Sequence, residues 1–104
     1  MMRHYWPLAV ALTALHCAAT ATEIEIDSTA QRLAASCANC HGTNGISADG
    51  KLPQLAGLSQ NTMVTRMQEF KAGTRAATVM QQLVKGYTDR QLALIAGYFA
   101  AQKK

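Results

Sequence analysis

Two thiols and an imidazole stand within five residues of one another, in Cys37-Ala38-Asn39-Cys40-His41. The spacing is Cys-x-x-Cys-His, the pattern that attaches haem c. Thiols three positions apart on one helical turn can each add to one of the two vinyl groups on the same porphyrin edge. The next residue then lies under the ring, where its imidazole reaches the iron from the proximal side.

Other uses of a Cys-x-x-Cys pair fit less well. A thioredoxin-like redox pair requires a βαβ pattern, and no segment here reads as a founding strand. A structural zinc site requires four ligands, whereas the chain beyond residue 21 holds two cysteines and one histidine. A simple disulfide across three positions closes a tiny loop and adds little stability. Haem is the reading that employs all three side chains.

His41 leaves one axial position of the iron to fill, and no second histidine lies beyond residue 21. The soft alternatives are the thioethers of Met63, Met67 and Met80. Met63 and Met67 are four residues apart on an expected helix and read as a core stripe. Met80 follows a small-residue stretch and opens a short helix, so a chain wrapping the ring could return it to the distal face. Met80 is the preferred ligand, with Met63 and Met67 as the alternatives. Met/His ligation raises a haem's potential and leaves no open site for substrates. That favours electron transfer over catalysis, and no nucleophile–base pair or paired carboxylates point to an enzyme.

These residues need elements to position them. A first helix is expected from a cap at Asp27 or Ser28, with Gln31 as capping-box partner, running into Cys37. Residues 42–58 contain four glycines and Pro53, which is loop chemistry. A second helix fits Asn61 to Lys71, with Met63, Val64, Met67 and Phe70 on one face and Gly73 as its stop. A third spans about Val79 to Lys85. The last follows Thr88, with Gln91 completing a capping box and Leu92, Ile95 and Phe99 in one stripe. The expected class is all-α, with four to five short helices. Leu52, Leu55, Leu58, Val79, Leu83 and Val84 are candidate walls for the ring or ordinary core.

The chain has 104 residues, of which 49% are hydrophobic, 15% charged and 6% aromatic. It is therefore too apolar for a disordered tail, yet the core it can build is thin. Domains this small usually need a staple, and a covalent haem provides one. Arg3 and His4 precede an apolar run from Trp6 to Leu15 and a small-x-small site, Ala19-Thr20-Ala21. This is the layout of a secretory signal peptide, expected over 1–21. The run is too short to span a membrane, and bulky His16 argues against lipidation of Cys17. The remaining domain, 22–104, carries nine basic and six acidic residues, a net +3. They are scattered, with no dense basic run, so nucleic-acid binding has no support. An exported, periplasmic location follows, with no stable membrane insertion after cleavage.

The stretches Leu52-Pro53-Gln54-Leu55-Ala56-Gly57, Phe70-Lys71-Ala72-Gly73-Thr74-Arg75, Ala77-Thr78-Val79-Met80, Lys85-Gly86-Tyr87-Thr88-Asp89 and Ala96-Gly97-Tyr98-Phe99 add a resemblance. Over about residues 30–102 the chain resembles class I c-type cytochromes of the cytochrome c4 group, and among these the haem subunits of flavocytochrome c sulfide dehydrogenases. The resemblance implies the class I cytochrome c fold around one covalent haem c, with Met80 as distal ligand. It also implies that the Pro53 carbonyl accepts a hydrogen bond from the His41 ring, and that the first and last helices cross near Ala34 and Gly97. The role implied is electron acceptance from a FAD-containing, sulfide-oxidising flavoprotein. The rival roles are a free carrier serving other redox proteins and a small-ligand haem sensor.

Overall fold

The computed structural model describes the backbone from Trp6 to Lys104, and the side chains of Glu23 and of residues 25–104. Met1, Met2, Arg3 and His4, the basic start of the expected export signal, lie outside the described residues. Four α-helices are present among the described residues: α1 (Trp6–His41), α2 (Gln60–Ala72), α3 (Met80–Val84) and α4 (Asp89–Ala100). A single 3-10 turn, Thr43–Gly45, follows α1. The described residues contain no strand, so the all-α expectation holds.

The start of the first helix differs from expectation. Helix α1 is 36 residues long and passes through Asp27 and Ser28 without a cap. The Ser28 hydroxyl donates back to the Glu25 carbonyl at 3.0 Å instead of accepting from a backbone N–H. Residues 8–41 contain neither glycine nor proline and ten alanines. With the best helix former so frequent and no breaker, a capping side chain has no helix end to cap. The end comes at Gly42, whose N–H still reaches the Ala38 carbonyl at 3.0 Å and whose φ of 92° leaves the helical region.

The other helices follow the sequence more closely. Ser59 caps α2 through Thr62 N–H, and Gly73 closes it in the left-handed conformation at φ 79°. Helix α4 begins with the full capping box: Gln91 N–H to Thr88 Oγ1 at 3.2 Å and Thr88 N–H to Gln91 Oε1 at 2.9 Å. Helix α3 is a five-residue piece with no side-chain cap.

The core lies where α4 meets α1 and α2, with α3 packed against α2. Phe99, Ala96, Leu92 and Ile95 of α4 are 0–2% exposed, beside Ala34 of α1, Met63 and Met67 of α2 and Val84 of α3. Burying each large apolar side chain contributes about 1.5–3 kcal/mol. Ala34 and Ala96 are the small, fully buried residues on α1 and α4. Gly97 has a different neighbour: a Cβ there would meet only the Gln60 side chain, at 3.2 Å, with no atom of α1 within 4 Å. The close approach expected at Gly97 instead makes room for Gln60, whose amide donates to the Ala93 carbonyl at 3.1 Å.

Polar ties fix the helix ends. Lys71, in the last turn of α2, donates to the Tyr87 carbonyl at 2.8 Å and pairs with Asp89 at 3.2 Å. The Tyr87 and Ser36 hydroxyls share a hydrogen bond of 2.7 Å, joining the turn before α4 to the last turns of α1.

Candidate haem site

Cys37, Cys40 and His41 all fall in the final turns of α1. Cysteines at i and i+3 share a helix face, so the helix itself sets the separation of the two sulfurs. Cys37 is half-buried and Cys40 exposed. Burial pushes the Cys37 thiol up from its ordinary pKa, against a smaller opposing effect of hydrogen bonds from Ser36 and its own backbone.

His41 is oriented by the loop that follows. Its Nδ1 lies 2.8 Å from the Pro53 carbonyl oxygen. A carbonyl oxygen can only accept, so this contact has the ring donating and the hydrogen on Nδ1. The acceptor lone pair is then on Nε2, the nitrogen left for a metal. A hydrogen bond of this kind fixes the tautomer and makes the imidazole a stronger donor.

The loop is held by its own backbone. The Gly45 carbonyl accepts from Leu55 N–H at 2.9 Å and Ala56 N–H at 3.1 Å, and Gly57 N–H reaches the Phe99 carbonyl at 2.9 Å. These bonds require a tight turn after α1. Gly45 sits at φ 77°, and a Cβ there would lie 2.7 Å from Phe99 Cδ1 and 2.9 Å from Ala56 N. Asn44 adopts φ 54°, the sole non-glycine residue at positive φ among those described. Its Oδ1 accepts from the Tyr98 hydroxyl at 2.8 Å.

The three methionines separate cleanly. Met63 and Met67 are 3% and 7% exposed within the apolar core. Met80, at the start of α3, is the one of the three that is only partly buried, packed against the same core.

The expected wall residues also divide. Val84 is core, and Leu55 and Leu58 pack partly against it. Leu52, Val79 and Leu83 are 43–56% exposed, and so is Ile46 at 44%. Sequence reasoning missed Ile46 because it stands alone among glycines and polar residues, without periodicity. Four large apolar side chains thus stay uncovered in the segments that follow the Cys-x-x-Cys-His turn and flank Met80. Two thiols, an imidazole with Nε2 available, a partly buried methionine and uncovered aliphatic surface together fit a covalently attached iron porphyrin. The residues that could hold it are Cys37, Cys40, His41 and Met80.

Comparison with known proteins places the chain in a family. Residues 28–101 match the cytochrome c family. The chain is 41% identical over 78 residues to the cytochrome subunit of sulfide dehydrogenase from Chlorobaculum tepidum, covering 75% of this chain and 70% of that one. It is 40% identical over 73 residues to cytochrome c4 of Pseudomonas aeruginosa, covering 70% of this chain but 36% of that protein. It is 31% identical over 103 residues to a thiosulfate dehydrogenase electron acceptor of Stutzerimonas stutzeri, covering 93% of this chain and 47% of that one. With an attachment turn at the end of α1, an oriented imidazole and a match through both terminal helices, the chain belongs to the cytochrome c family: a helical electron carrier with covalently bound haem c.

Proposed function

We propose that this protein is an exported monohaem cytochrome whose haem receives electrons from a sulfide-oxidising flavoprotein. Haem iron supplies one-electron chemistry, cycling between ferric and ferrous states. Cys37 and Cys40 would tether the ring through thioethers. His41 would hold the iron through Nε2, its ring oriented by the Nδ1–H bond to the Pro53 carbonyl, and Met80 would supply a thioether as the second protein ligand. A histidine and a methionine together would leave the iron no free position and raise its potential. The polypeptide therefore excludes small ligands and lets the electron alone move.

The observation that carries the reading is the 41% identity to a sulfide dehydrogenase cytochrome subunit over 70% of that subunit's length. A FAD-containing partner and a periplasmic setting complete it. The export signal over 1–21 supports the location, with cleavage after Ala21. No helix among the described residues is long and apolar enough to cross a membrane. The identities to cytochrome c4 and to a thiosulfate dehydrogenase electron acceptor favour a second reading, a free carrier serving other redox proteins.

Purification from the native host through an affinity tag decides between the two. The first reading expects a flavoprotein to co-purify and sulfide to reduce the haem in the complex. Recovery of the cytochrome alone, unreduced by sulfide in the presence of the host's flavoproteins, supports the free carrier. The N-terminus of the recovered chain tests export: a periplasmic product is expected to begin at Thr22.

A further inference from the structure

We propose that Tyr98 of α4 is a positioning residue for the His41 imidazole, acting through Asn44 and the loop that carries Pro53. The inference rests on the reading of His41 as an iron ligand. A path of short contacts joins the two residues. The Tyr98 hydroxyl donates to Asn44 Oδ1 at 2.8 Å. Asn44 holds a left-handed backbone, φ 54° and ψ 20°, a conformation that asparagine visits with the help of a hydrogen bond from its short side chain. Its neighbour Gly45 presents one carbonyl to two donors, Leu55 N–H at 2.9 Å and Ala56 N–H at 3.1 Å. Two residues before Leu55, Pro53 offers its carbonyl to His41 Nδ1 at 2.8 Å.

Each link is directional. The direction of the Gly45 carbonyl follows from the backbone dihedrals of residues 44 and 45, and the Tyr98 bond selects the Asn44 conformation. The carbonyl in turn places the 53–55 stretch. Pro53 is exposed, so side-chain packing does not place its carbonyl; the backbone anchors on either side must. The hydroxyl of Tyr98 is the one side-chain contact in this path supplied by a different helix. The Tyr98 ring has a separate job, an edge-to-face contact with Phe99 at 5.3 Å and 79°, so the hydroxyl can be removed without disturbing the packing.

The test uses the haem-loaded protein and three variants: Tyr98→Phe, Asn44→Gly and the two combined. Two quantities are read, backbone amide exchange and the reduction potential. In Tyr98→Phe, the amides of Leu55 and Ala56 are expected to exchange about tenfold faster, the scale of one lost hydrogen bond. The amides of Leu92 and Ile95 in the α4 core should not change. The potential should rise, because an imidazole with a weakened bond to Pro53 donates less to the iron. Adding Tyr98→Phe to Asn44→Gly should change neither quantity, since the acceptor is already gone and glycine takes the left-handed conformation freely. Unchanged exchange at Leu55 and Ala56, equal acceleration at Leu92 and Ile95, or an unchanged potential would each overturn the proposal. The visible spectrum of the unaltered protein reads His41 ligation independently. A spectrum lacking histidine ligation overturns that reading, while the exchange pattern still judges the brace between Tyr98 and the loop.

Discussion

Two regions of this molecule are built on opposite plans. Where α4 crosses α1 and α2, the side chains cover one another: Phe99 and Ala96 are fully buried, and Leu92, Ile95 and Ala34 nearly so. The segments 42–58 and 74–83 contribute few buried side chains. They are held by backbone and side-chain hydrogen bonds, with Gly42, Gly45, Gly50 and Gly57 of the first at positive φ, Tyr98 of α4 bonded to Asn44 and Arg75 of the second paired with Glu69. Their large aliphatic residues, Ile46, Leu52, Val79 and Leu83, remain 43–56% exposed. The first region is complete as polypeptide. The second shows apolar surface that polypeptide does not cover, in the segments that follow the Cys-x-x-Cys-His turn and flank Met80. The difference teaches that this fold divides its labour: the helix crossing supplies stability, and the loops supply a shaped, oriented lining for a non-peptide group.

The most severe way to break this contrast is to replace both Cys37 and Cys40 by alanine. Covalent haem should be lost completely, read as absence of haem staining on a denaturing gel, and the thermal midpoint should fall sharply. A colourless protein with undiminished thermal resistance would contradict the division of labour. Within the crossing, Phe99→Ala should cost about 3–5 kcal/mol, the usual range for an aromatic in a closed core, measured by denaturant titration of the haem-loaded protein. In the lining, Gly45→Ala should cost about 2–4 kcal/mol, from left-handed strain and overpacking against Phe99 and Ala56. Unlike Phe99→Ala, it should also shift the reduction potential, because Gly45 anchors the stretch that holds Pro53.

Smaller changes sharpen the contrast. Thr88→Ala removes the α4 cap and should cost about 1 kcal/mol with no shift in potential. Glu69→Gln breaks the ion pair with Arg75, at 2.8 Å but with both side chains about 40% exposed. Its effect should stay near or below about 0.5 kcal/mol and shrink further at high salt.

Much of the helix crossing was legible as pattern. Leu92, Ile95 and Phe99 recur at helical spacing, and Thr88 with Gln91 announces the start of α4; both follow from local stereochemistry. Gly73 as the end of α2 is of the same kind. The start of α1 was not legible, because Asp27, Ser28 and Gln31 form a plausible cap in any sequence that turns there. Only the uninterrupted, alanine-rich helix on both sides removes the need for it. Ser59 as the cap of α2 has no distinct signal, because the loop before it is already rich in breakers. At Gly97 it is Gln60 that occupies the space beside the glycine, and a partner 37 positions away has no local signature.

The lining was legible in its chemistry and illegible in its geometry. By itself the sequence determined the thiol spacing, the adjacent imidazole, the three candidate thioethers, the glycine-rich loop and the helical class, because each depends on residues within a turn or two of one another. Only the tertiary structure placed Met63 and Met67 in the core and Met80 at its margin, left Ile46 uncovered, and joined Tyr98 to Asn44 across 54 positions. Those outcomes depend on which surfaces meet when α4 closes over α1 and α2. That closure is decided by shape complementarity among distant side chains, which no local pattern encodes.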